Sequence, residues 1–130
     1  MTKEEQKLLT IDLSARLPYG VKLLYDDGEN QIVGVLDEII ISRSLVSDNY
    51  QTFVDFSTVP DNYDNPCYLE YIKPYLRSME DMTEGEENEY ERIVRGSLSN
   101  HLDWLNEHHF DYRCLIEKGL ALQAPEDMYK

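Results

Sequence analysis

The chain has 130 residues, 42% of them hydrophobic, and carries 26 Asp and Glu against 12 Lys and Arg, a formal charge of −14. That balance argues against direct binding to DNA, RNA or an anionic membrane, because phosphates are met by clustered Lys and Arg. The length suits one domain spanning residues 1–130, and the apolar fraction is enough for a modest core.

Thr2-Lys3-Glu4-Glu5 matches a capping box, so a helix of about three turns is predicted from Thr2 toward Arg16, with Leu8, Leu9, Ile11 and Leu13 as its apolar residues. Leu17-Pro18-Tyr19-Gly20 stops it. Val21–Tyr25 and Gln31–Leu36, rich in β-formers, flank the turn Asp26–Asn30 and read as a hairpin. Glu38–Ser42 and Gln51–Phe56 read as two further strands, the second with Phe53 and Asp55 on one face and Val54 and Phe56 divided between faces. Pro60, Pro66 and Pro74 punctuate the next stretch, where Cys67–Leu69 is expected to be a short strand and Glu70–Leu76 an irregular turn or short helix.

Thr83-Glu84-Gly85-Glu86 repeats the capping-box pattern and opens a second helix near Glu84, whose acidic first turn suits the positive end of the helix dipole. Gly96, Ser97, Ser99 and Asn100 weaken it before Leu98, Leu102, Trp104 and Leu105 resume an apolar pattern, so two successive helices are expected rather than one bent one. Asp111 is the expected N-cap of a last short helix through Leu115 and Ile116, with Gly119 as its stop. The predicted fold is α+β: a small curved antiparallel sheet of three to five strands packed with an N-terminal helix and two or three C-terminal helices.

Chemistry-bearing residues are sparse. His101, His108 and His109 with Asp103, Glu107 and Asp111 form the only cluster of metal-ligand types. His101 and His108 fall roughly 10 Å apart along a helix, too far for one ion without a third element; the alternative is a helix C-terminus where histidines complement the dipole. Cys67 and Cys114 sit in no nucleophile signature and read as reduced thiols, and the six glycines stand singly, so no phosphate loop is present. No cofactor or metal is expected. A polar N-terminus without an apolar leader, and no apolar run near the length of a membrane span, predict a cytoplasmic protein.

Seven carboxylates lie between Glu80 and Glu91 with no basic residue among them. Either they solubilise a well-capped helix start, or they dock a basic partner or mimic nucleic-acid phosphate. Tyr63, Tyr68, Tyr71 and Tyr75 stand at a spacing that would align them on a helix; with few cations nearby, packing is the better reading than base stacking.

Three segments carry a resemblance: Ile11–Lys22, including Leu17-Pro18-Tyr19-Gly20; Ile72–Met79 with Met82-Thr83-Glu84; and Asp103–Ala121 through Ala124-Pro125. Together they resemble a family of small uncharacterised proteins from gut Bacteroidetes, met in prophage and other mobile-element settings. Cys114 stands where that family's pattern has Gly, and the segment between Arg92 and Asp103 is short against it. The resemblance implies a modular α+β fold and an accessory context, and it transfers no catalytic residue.

The functional expectation is a non-enzymatic acidic accessory protein that binds a protein partner of unknown identity. The expected docking residues are Asp103, Trp104, His108, His109, Asp111, Tyr112 and Arg113, with exposed Trp and His side chains, joined by Glu84, Glu86, Glu87 and Glu89. Arg113 has a structural alternative, pairing with Asp103 or Asp111 to pin the last helix. The alternative functions are a small hydrolytic or metal-dependent enzyme built on the histidines, and a nucleic-acid mimic.

Overall fold

In the computed structural model, which describes residues 1–43, 50–57, 67–96 and 98–129, helix α1 (Lys3–Arg16) starts on the expected capping box. The Thr2 hydroxyl accepts the Glu5 N–H at 3.0 Å and the Glu5 carboxylate accepts the Thr2 N–H at 3.0 Å. Pro60, Tyr63, Pro66 and Ser97 lie outside the described residues. The fold is α+β: the hydrogen-bonded strand order among the described residues is β4-β3-β2-β1-β5-β6, with β1 (Lys22–Asp26), β2 (Gln31–Arg43), β3 (Tyr50–Phe56), β4 (Cys67–Tyr68), β5 (Ile72–Leu76) and β6 (Leu122–Gln123). The chain divides into two compact units, Met1–Pro74 and Tyr75–Lys130.

In the first unit, α1 buries Leu9 and Leu13, and the Thr10 hydroxyl lies 2.9 Å from that of Thr52 on β3. Ile11, expected among the apolar residues, is 47% exposed; the helix instead buries Asp12 and Arg16, both at 0% exposure. Arg16 Nε donates to Asp12 Oδ2 at 2.9 Å and Nη2 to Oδ1 at 3.2 Å. After a 3₁₀ turn at Leu17–Tyr19, Gly20 takes a left-handed conformation (φ 67°) that turns the chain into β1.

The β1–β2 hairpin forms as predicted, from Lys22↔Val35 to Asp26↔Gln31. Asp27 holds its turn by accepting the N–H groups of Asn30 (2.7 Å) and Glu29 (2.9 Å), and those bonds keep its carboxyl below the ordinary value. The two strands expected at Gln31–Leu36 and Glu38–Ser42 are one: Leu36 pairs with Phe56 and Glu38 with Asp55, leaving Asp37 as an extra residue in a bulge. Thr52, Val54 and Phe56 are all buried on one face of β3 and Phe53 and Asp55 are part-exposed on the other, which corrects the expected division of Val54 and Phe56.

Beyond Tyr68 the chain makes a 3₁₀ turn (Leu69–Tyr71) and then β5, where an irregular turn or helix was expected. Pro74 is tolerated because it ends the pairing with β1, at Leu23↔Pro74. Tyr68 and Tyr71 are therefore not on a helix; their rings meet edge-on at 6.4 Å. The strand count of six exceeds the predicted three to five because Ile72–Leu76 and the two-residue β6 both pair, β6 in parallel.

In the second unit, Tyr75 and Leu76 pair with Leu122 and Gln123 of β6. Helix α2 (Glu84–Gly96) and helix α3 (Leu98–Glu107) are separate, as expected. Trp104, Leu105 and Phe110 form a buried cluster against Met79, Met82, Tyr90, Ile93 and Tyr112. The expected helix after Asp111 is a series of turns. Cys114 has φ 59°, which an α-helix does not admit, while the Asp111 carboxylate still accepts the N–H groups of Leu115 (2.8 Å) and Ile116 (3.0 Å). No helix among the described residues is long and apolar enough to cross a membrane.

Candidate functional site

The site lies wholly in the second unit, as an open cleft of about 910 Å³. Arg77 and Ser78, just beyond β5, form one wall with the 3₁₀ residues Glu80 and Asp81. Thr83 and Glu86 come from the start of α2, His108 from just past α3, and Gln123, Ala124, Pro125, Glu126 and Tyr129 from the C-terminal stretch.

Local capping geometry sets two of these groups. Ser78 accepts the Glu80 N–H at 3.3 Å, turning Glu80 and Asp81 into the 3₁₀ segment. Thr83 and Glu86 close the predicted capping box, with Glu86 N–H donating to Thr83 Oγ1 at 3.2 Å and Thr83 N–H to Glu86 Oε1 at 3.1 Å.

Glu86 is thereby aimed at Arg77, which grips it with two parallel bonds of 2.9 and 2.7 Å. The Arg77 guanidinium, donating to Glu86, is the main reason its carboxyl falls to about 2. The same guanidinium lies 4.2 Å over the Phe110 ring, and the Arg77 backbone exchanges bonds with the His109 carbonyl and the Asp111 N–H, both at 2.8 Å. One side chain thus ties β5, α2 and the turn after α3 together.

His108 stacks on Trp104 at 4.1 Å, and its Nδ1 lies 2.9 Å from the Trp104 carbonyl oxygen. A carbonyl only accepts, so Nδ1 carries the proton. Tyr129 donates its hydroxyl to the Tyr75 carbonyl at 2.7 Å and stacks on His109 at 4.0 Å, and Gln123 donates to Asp81 at 2.8 Å. Counting one guanidinium against the carboxylates of Glu80, Asp81, Glu86 and Glu126, the lining carries −3 with His108 neutral. A lining of that sign repels phosphate and favours cationic groups.

Of the eleven residues predicted to bind a partner, only Glu86 and His108 reach this cleft. Two assignments are corrected outright: Trp104 is 5% exposed, inside the aromatic cluster with Tyr90 and Phe110, and His109 is 6% exposed beneath Tyr129. Asp111 is also buried, its carboxylate spent on the Leu115 and Ile116 amides. Tyr112 donates to Asn106 at 2.9 Å and receives the Arg113 guanidinium over its ring at 4.5 Å. Asp103, Glu84, Glu87 and Glu89 are exposed outside the cleft lining.

The histidines are not gathered: His101 meets Tyr90, His108 meets Trp104 and His109 meets Tyr129. Among the described residues no group of three or more His, Cys, Asp or Glu is placed to hold a metal ion. Sequence reasoning missed Arg77 and the C-terminal wall; the pairing of Arg77 with Glu86, nine positions apart across a turn and a cap, has no periodic signature. Protein-family models, curated proteins and solved structures yield no match to this chain.

Proposed function

We propose that the protein is a non-enzymatic cytoplasmic accessory protein, of the phage or mobile-element type that its sequence resembles, which binds a basic segment of a protein partner in the cleft of the second unit. The observation that carries this reading is the charge of the lining: four carboxylates face one guanidinium, and that guanidinium is already engaged by Glu86. A Lys or Arg side chain entering the cleft meets Glu80, Asp81 and Glu126, with the Tyr129 and His108 rings as apolar walls. The cleft replaces the exposed α3 patch as the docking site, since Trp104 and His109 are buried.

The test is an array of defined peptides rich in Lys and Arg, with acidic and neutral peptides as controls, read by fluorescence anisotropy at two salt concentrations. Basic peptides should bind, more weakly at higher salt. The double variant Glu80→Lys, Glu126→Lys should lower affinity at least about tenfold while retaining the wild-type circular dichroism spectrum. Absence of binding by any basic peptide, or binding indifferent to the double variant, refutes the proposal.

A further inference from the structure

The sheet of the first unit is buried on one face only. Leu23, Tyr25, Leu36, Val54, Phe56 and Ile72 are buried on the inner face. By register, Leu24, Val33, Val35, Ile40, Phe53 and Tyr68 stand on the opposite face, with Leu24 beside Val33 and Phe53 between Ile40 and Tyr68. Val33 is 47%, Ile40 36% and Tyr68 52% exposed and Leu24, Val35 and Phe53 are half-buried, so this apolar surface is open to solvent over much of its extent.

The charges on that face are polarised. Lys73 sits directly beside Leu24 and Lys22 opposite Val35, at the β1 and β5 side. Glu38 and Asp55 are cross-strand partners at the β2–β3 side. Two carboxylates directly opposite one another destabilise an isolated sheet, and a cation placed over them relieves that cost. Asp26 shares this face at the end of β1, opposite Gln31, so two lysines stand against three carboxylates here, a far closer match than the 12 basic against 26 acidic residues of the whole chain.

We propose that this face pairs with the same face of a second copy across a two-fold axis. With the two-fold axis parallel to the strands, the lysine side of each copy falls on the Glu38–Asp55 side of the other while the apolar rows meet in the middle. Strand spacing and rise give a footprint of roughly 20 by 20 Å, about 400 Å² a side. That is the size of a weak, reversible pair.

Sedimentation velocity on the full chain, from micromolar to millimolar concentration, should show a concentration-dependent monomer–dimer equilibrium. Ile40→Glu should weaken it at least about tenfold with the fold retained by circular dichroism. The decisive measurement mixes two chains: one with Lys22→Glu and Lys73→Glu, the other with Glu38→Lys and Asp55→Lys. Each alone should be monomeric where the wild type dimerises, and the mixture should form a heterodimer. A wild-type chain that stays monomeric throughout, or a mixture that fails to associate while both chains are folded, overturns the proposal.

Discussion

Replacing Cys114 with Gly should stabilise the protein. Cys114 holds φ 59°, a left-handed conformation that costs a residue with a Cβ about 1–2 kcal/mol. Its side chain is exposed, so removing it forfeits little buried surface. Glycine returns part of the gain, about 0.5–1 kcal/mol, through the larger freedom of its unfolded chain. The net is about 0.5–1 kcal/mol of stabilisation, or roughly 2–5 °C in Tm for a chain of this size. Thermal unfolding followed by circular dichroism reads it, with Cys114→Ala as the control that removes the thiol but keeps the Cβ and should change Tm little. His109 provides the opposite sign at nearly the same backbone angle (φ 63°): His109→Gly relieves the same strain but loses a buried ring stacked on Tyr129, and should be destabilised by about 1–3 kcal/mol. A Cys114→Gly variant less stable than Cys114→Ala would refute the conformational argument.

Other outcomes follow from charge and burial. Because the Glu86 carboxyl titrates near 2 rather than at its ordinary 4.5, its contribution is complete above pH 4.5 and disappears as pH falls toward 2; Glu86→Gln should lose about 1–2 kcal/mol at pH 7 in urea denaturation and differ little from wild type near pH 2. Asp12→Ala removes the carboxylate that grips the fully buried Arg16 guanidinium and should cost about 3–5 kcal/mol, whereas the double variant Asp12→Leu, Arg16→Met should recover most of that loss in the same assay. Burial, reinforced by the nearby Asp55 and Asp27 carboxylates, raises the Cys67 thiol above its ordinary value, so Ellman's reagent should modify exposed Cys114 well before Cys67 in the native state.

The legible parts of the fold were those written in local chemistry. Capping boxes at Thr2 and Thr83, and the Asp26–Asn30 turn, act within a few residues, and each forms where the sequence places it. The failures have physical causes of longer range. Asp37 adds a residue that breaks the two-residue alternation, which is why one strand reads as two. Asp12 and Arg16 stand at the spacing of a surface pair on a helix, yet both side chains are fully buried. Trp104 is covered in part by Tyr90, and His109 is stacked under Tyr129, contacts that reach across more than ten residues. The cleft was half-legible: its acidity is visible in the run from Glu80, but the arginine that organises Glu86 and the wall from Gln123 to Tyr129 depend on tertiary folding.

The bulge at Asp37 bears on how this sheet tolerates changes of length. Because Leu36 and Glu38 already oppose consecutive partners on β3, the chain without Asp37 would run as an ordinary strand, with Ile39 still opposite Val54. Loss of Glu38 would be absorbed in the same way, Asp37 taking its place opposite Asp55, whereas loss of a codon farther from the bulge would turn over the residues between it and Asp37, exchanging core side chains for solvent-facing ones. In-frame deletions that preserve folding should therefore be recovered at Asp37 and Glu38 and be rare farther along the strand.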